Sequence, residues 1–197
     1  MCKSLALWQT APVPFSTPSK SHSADPPWRR VTQTLAVRVP VTTRHWLLDE
    51  GSLTERLIKR SNGQFRVERL RQSWQKPMPS ERRLLGLGTS HWALIREVAL
   101  YCHDQPWVYA RSVIPARSLS GELRRLRRLQ NESLGALIFQ QPGLQRDPFE
   151  VALLPAASHY MHPSFRQNQP AWARRSRFTI KGKSLLVSEV FLERFQT

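Results

Sequence analysis

Residues 91–115, HWALIREVALYCHDQPWVYARSVIP, constrain the fold more than any other stretch of the chain. In the first half Trp92, Leu94, Val98, Leu100 and Cys102 recur at period two, the repeat of a strand with one face on a core. HDQP is turn chemistry, and after it Trp107, Tyr109 and Val113 resume the alternation. Two alternating runs joined by so short a connection pair antiparallel. RRSRFTIKGKSLLVSEVFL, near the end of the chain, reads as two more strands about a KGK turn. An antiparallel sheet built on two hairpins is the predicted centre of the fold.

Helical patterns bracket these strands. WLLDEGSLTERLIKRSNG reads as a short helix stopped near Gly51 and a second one opened by Ser52, with Glu55 three residues on in a capping box. Leu57 and Ile58 are the predicted buried side of this helix, and Asn62-Gly63 its end. QFRVERLRQSW alternates loosely, as a further strand. SGELRRLRRLQ is a predicted helix with Leu123 and Leu126 inward, joined by Leu129 or Gln130, and ESLGALIF is short and apolar. Strands bracketed by helices predict an α+β fold.

At 197 residues the chain can hold one domain with a proper core, and is too short for two ordinary domains with a linker. That domain is predicted over residues 41–197. Residues 1–40 hold six prolines, a single acid (Asp25) and no sustained apolar period, which predicts a flexible tail. Five prolines between Gln140 and Ala173 predict mostly loop, with an insertion at about 152–172.

The 30 Lys and Arg residues against 14 Asp and Glu give a formal charge of +16, which favours anionic partners: nucleic acid, a membrane surface or a small anion. Charge alone does not choose among them. Cys2 and Cys102 make neither a disulfide framework nor a C-x-x-C pair, as expected in a reducing compartment. SLALW is too short for a secretory core, and no run approaches the ~20 apolar residues of a membrane span. A soluble, cytoplasmic protein is expected. His159 and His162 have a helical metal-ligand spacing but lie in the proline-rich stretch without a third ligand, so no metal is assigned. RRLRRL reads as the solvated face of an amphipathic helix, and Arg174, Arg175 and Arg177 as scaffold or an anion-attracting entrance. SWQK lacks the companions of an S-x-x-K nucleophile, GLG is too short for a nucleotide site, and there is no Walker A, G-x-S-x-G or H-E-x-x-H sequence.

Three charges break the apolar pattern. Arg96 falls on the face of Leu94 and Val98, Arg111 among Tyr109 and Val113, and Glu189 with Leu185, Val187 and Phe191. A buried carboxylate without a partner is costly or takes up a proton. Two explanations stand: these groups pair with charges on neighbouring strands, or they line an apolar pocket for an anionic ligand. Arginine suits the second role because its planar fork binds carboxylates and keeps its charge. Two of them suit a dicarboxylate.

The blocks WLLDEGSLTERL, HWALIREVALYCHDQPWVYARSVIP, SLSGELRRL, SLGALIF and RRSRFTIKGKSLLVSEVFL, in this order and spacing, resemble the chorismate pyruvate-lyase family of bacterial ubiquinone synthesis. The similarity covers about residues 44–195 apart from the loop. It implies a single α+β domain with an antiparallel sheet, flanking helices and helical flaps over a buried ligand pocket. The implied activity is the first committed step of ubiquinone biosynthesis, conversion of chorismate to 4-hydroxybenzoate and pyruvate by a monomer without metal or cofactor. It further implies that Arg96 holds the ring carboxylate and that Glu189 lies by the 4-hydroxyl, where it positions the substrate or accepts the proton. Leu53 and Leu134 are the implied flap residues, Leu134 through its backbone polar groups. Family members can carry methionine at the position of Leu53, a change that conserves volume. Arg111 is expected as a second electrostatic contact.

Two further readings compete. A non-catalytic effector-binding domain of the same fold, as in bacterial transcription regulators, would follow a winged helix, for which about 40 leading residues are too few. A nucleic-acid binder would use the positive charge, yet it leaves the charges on apolar faces unexplained. The tail, the insertion and the high charge depart from the family pattern.

Overall fold

The computed structural model describes residues 25–32 and 39–195. The strands are β1 (Arg29–Arg30), β2 (Phe65–Gln75), β3 (Ala93–Cys102), β4 (Gln105–Pro115), β5 (Gln145–Arg146), β6 (Glu150–Leu154), β7 (Ala171–Ile180) and β8 (Lys183–Phe191). They form one antiparallel sheet in the order β1-β6-β7-β8-β4-β3-β2, with β5 also on β7. The α-helices are α1 (Val41–Leu47), α2 (Leu53–Arg60), α3 (Pro79–Leu85) and α4 (Leu134–Phe139). The α+β architecture expected from the hairpins is the one observed. Among the described residues, no helix is long and apolar enough to cross a membrane.

Alternation gives the sheet two distinct faces. On the first, even-numbered residues of β3 and β4 and odd-numbered ones of β8, among them Leu94, Val98, Val108, Ile114, Leu185 and Phe191, meet α1, α2, α4 and the segment Gly121–Arg128. On the second, Tyr109, Ala173, Val190, Ile95 and Val113 are covered by α3 and by the 155–170 loop, which buries Tyr160 and Met161.

The central hairpin turns on His103 and Asp104, both with positive φ, the backbone a two-residue primed turn requires. Cys102 pairs with Gln105 and Tyr101 with Pro106, but Leu100 pairs with Val108. Trp107 is therefore one extra residue, a β-bulge, and beyond it the register moves by one.

The structure corrects several expectations. Gly121–Arg128 is a 3₁₀ helix and not an α-helix; Leu123, Leu126 and Leu129 are buried at a spacing of three, the repeat of that tighter helix, and Gln130 is exposed. In α2 the buried side is Leu53, Thr54 and Leu57, whereas Ile58 is 42 % exposed. The stretch read as loop contains β5 and β6, so the irregular part shrinks to residues 155–170. The domain also starts before residue 41. Arg29 and Arg30 pair with Val151 and Glu150, and the Asp25 carboxylate accepts from Ser80 N at 2.8 Å. The rest of the predicted tail, residues 1–24 and 33–38, lies outside the described residues.

Helix α3 was not anticipated. It has Pro79 at its first turn, Gly86 in the left-handed conformation after its end, and Glu81 Oε2 accepting from Met78 N at 2.8 Å. Glu81 is fully buried against the second face of the sheet.

Candidate functional site

A cavity lies between the first face of the sheet and the two flaps made by the N-terminal ends of α2 and α4. Arg96 from β3, Glu189 from β8, Leu53 from α2 and Leu134 from α4 all line it. Four residues distant in sequence and singled out there thus share one space. Its walls are mostly apolar, with Val67, Val98, Ile138 and Phe178 among them.

The flaps meet through their caps. Ser52 Oγ accepts from Glu55 N to start α2, and Ser133 Oγ accepts from Ala136 N to start α4. Ser133 Oγ also lies 2.7 Å from Thr54 Oγ1, a hydrogen bond from flap to flap. A β-carbon on Gly135 would stand 3.1 Å from Thr54 Oγ1, so the glycine permits this approach.

Arg96 is 1 % exposed, and its Nη2 donates to the carbonyls of Gln130 (3.0 Å) and Glu132 (2.7 Å). Its Nε is buried without a partner among the described residues, and no carboxylate pairs with the group. Burial, followed by repulsion from Arg69, pushes its pKa down to about 10. It keeps its charge at neutral pH at an energetic cost that an anion in the cavity would offset.

The other fully buried arginines are compensated. Arg174 Nε donates to Glu189 Oε2 at 2.6 Å while its Nη1 holds the carbonyls of Trp46 and Asp49, each at 2.8 Å. Arg175 pairs with Glu150 at 2.6 Å. Arg111 Nε and Nη1 lie 2.7 Å from Glu81 and Glu97 respectively. Burial opposes the Arg111 charge, but Glu81 more than reverses this and the pKa stands above the usual guanidinium value.

Arg111 therefore does not reach the cavity. It pairs across the ladder with Glu97, on the second face, while its neighbour Ser112 pairs with Arg96 and lines the cavity. The Trp107 bulge is the cause. Continued from the turn without it, the register would set Arg96 opposite Arg111; one extra residue turns Arg111 to the other side.

Arg146 lines the cavity and was missed in the sequence because it lies on the two-residue β5 in a proline-rich stretch without periodicity. It stacks on Phe149, 3.9 Å from the ring centroid, and lies 5.0 Å from that of Phe178. Arg174, read only as scaffold or entrance, also lines the cavity. Among the described residues no cluster of His, Cys, Asp or Glu could hold a metal ion.

The chorismate lyase family model matches residues 25–196. The chain belongs to the chorismate lyase family. A relative from Pseudomonas aeruginosa, named "Probable chorismate pyruvate-lyase", is 41 % identical over 167 residues, 85 % of this chain and 91 % of the relative. One of the same name from Azoarcus sp. is 44 % identical over 157 residues, covering 76 % and 82 %. Among solved structures the chain is similar in fold to the C-terminal domain of PhnF, with TM-score 0.53 and 14 % identity, over 64 % of this chain and 82 % of that one. The effector domain of PhnF from Mycobacterium smegmatis gives TM-score 0.51 and 15 % identity, covering 75 % and 91 %.

Proposed function

We propose that the protein is a chorismate pyruvate-lyase, a carbon–oxygen lyase that converts chorismate to 4-hydroxybenzoate and pyruvate. One observation carries this reading: Arg96, buried at the wall of an apolar cavity, is the fully buried arginine without a carboxylate partner among the described residues. A benzoate-type carboxylate supplies that partner in a bidentate geometry. Family membership and the names of the relatives point to the same substrate.

The reaction breaks the bond between ring carbon 3 and the ether oxygen, whose electron pair stays on the oxygen. The proton on carbon 4 leaves, and the ring becomes aromatic. The departing enolpyruvate is protonated at its methylene carbon to give pyruvate, so atoms and charge balance. Aromatisation drives the step, and the protein has to desolvate and orient a dianion, receive a proton and help the ether oxygen leave. Arg96 holds the ring carboxylate. Glu189, fixed through Oε2 by Arg174, stands at the 4-hydroxyl end and accepts or relays the proton. Leu53 and Leu134 close the apolar walls around the ring. On this reading the reaction runs in the cytoplasm, at the entry to ubiquinone synthesis, in a monomer that needs no cofactor.

The test is to incubate the folded protein with chorismate and follow both products. Equal amounts of 4-hydroxybenzoate and pyruvate are expected. If neither forms while 4-hydroxybenzoate or a related acid still binds, the chain is an effector-binding domain of the same fold.

A further inference from the structure

Chorismate carries two carboxylates, and Arg96 accounts for one. The cavity holds a second cation without a salt bridge among the described residues, Arg146. Among the described residues its guanidinium makes one hydrogen bond, from Nη1 to the carbonyl of Glu50 at 2.9 Å, and its Nε is shielded from solvent without a partner. Stacking on Phe149 orients the plane, and Phe178, whose ring it also faces, is part of the cavity wall. Burial pushes its pKa down to about 10, opposed chiefly by Glu189 and reinforced by Arg174. A guanidinium with one hydrogen bond to described residues and a buried, unpartnered Nε, stacked on a ring beside a cavity, is suited to receive an anion.

Its position in the sheet separates it from Arg96. The row from Arg96 runs through Ser112 on β4 and Val187 on β8 to Ser176 on β7, and Arg146 pairs with Phe178, two residues further along β7. Four strand spacings, roughly 19 Å of backbone, lie between them. The charges that act on Arg146 are Glu189 and Arg174, followed by Glu50 and Asp49, whereas those acting on Arg96 are Arg69 and Glu132. Arg146 thus belongs to the Glu189 end.

We propose that Arg146 binds the side-chain carboxylate of chorismate, the one that departs in pyruvate. The inference rests on the lyase reading above. In chorismate the enolpyruvyl ether is on carbon 3, next to the carbon 4 hydroxyl that Glu189 faces, so its carboxylate falls on the Arg146 side. Arg146 then steadies the leaving group as negative charge builds on the ether oxygen. The two arginines divide the dianion: Arg96 serves substrate and aromatic product alike, and Arg146 serves only the substrate and pyruvate.

The experiment compares Arg146→Met and Arg146→Lys with the parent, using the full chain. Steady-state kinetics with chorismate and direct titration with 4-hydroxybenzoate are the two readouts. Arg146→Met is expected to lower kcat/KM on the order of 10- to 100-fold, with 4-hydroxybenzoate affinity within about twofold of the parent. Arg146→Lys should recover part of the loss, and it keeps the comparison readable if the methionine variant does not fold. Unchanged kcat/KM in an active, folded variant overturns the proposal. So does an equal loss of 4-hydroxybenzoate affinity, which would make Arg146 a support of the whole cavity. A parent protein inert toward chorismate removes the lyase reading, and this inference with it.

Discussion

Arg96 and Arg111 are both almost fully buried on adjacent strands, and opposite consequences follow from what faces them. Arg111 sits between Glu81 and Glu97, so Arg111→Ala leaves Glu81 buried without a cation and Glu97 with only Arg71 at 3.6 Å, at a cost of about 3–5 kcal/mol. Arg96 has only carbonyl acceptors, and its removal deletes a charge the fold does not compensate. Arg96→Ala is expected to weaken 4-hydroxybenzoate binding about 100-fold or more with little loss of stability, and Arg111→Ala to do the reverse. Urea unfolding and ligand titration of both variants check this double contrast. Period-two alternation was enough to mark Arg96 and Glu189 in the sequence. It misassigned Arg111 because the bulge at Trp107 leaves no signature in residue types, and Arg146 had no alternation around it to violate.

Flap closure depends on how two helices begin. Ser133 both caps α4 and bonds to Thr54, so the start of one flap is tied to the other. Thr54→Val keeps the shape and removes the bond, worth about 1 kcal/mol. Release of 4-hydroxybenzoate should then be severalfold faster, as read by stopped-flow, and kcat should rise if release limits turnover. The Ser52 cap and the hairpin turn are local chemistry and were legible in the sequence, whereas the Ser133 cap was not read. The bond between residues 54 and 133 is not, since no local pattern encodes a contact across 79 positions. Helix α3 escaped for another reason: it turns a charged residue, Glu81, inward, so no apolar stripe betrays it.

At the scale of the whole molecule the sheet separates binding from support. The first face carries the cavity, and the second carries the paired charges of Glu81, Arg111, Glu97, Arg175 and Glu150. Ligand binding should therefore stabilise the domain without rearranging the second face. At 100 times its Kd, 4-hydroxybenzoate is expected to add about 2.7 kcal/mol, a rise in Tm of roughly 5–10 °C for a chain of this size. Thermal unfolding with and without the acid measures it, and Arg96→Ala should lose most of the shift at the same ligand concentration. The antiparallel α+β architecture was legible because it follows from hairpins. The docking of residues 25–30 onto the domain was not, because β1 has only two residues and its anchoring depends on partners more than 50 positions away.

The extra residue at Trp107 also governs which kinds of genetic change this fold can survive. Exchanging Trp107 for another large apolar residue alters packing near the turn. Losing Trp107 itself removes the bulge and leaves Leu100 opposite Val108 and Glu97 opposite Arg111, whereas losing a residue between Val108 and Arg111 turns Arg111 toward the cavity, takes Ser112 out of it and strips Glu81 of its cation. From Val108 to Ser112 chain length is therefore more tightly constrained than residue identity, and homologous hairpins that keep the site are expected to vary in length only at the bulge or the turn.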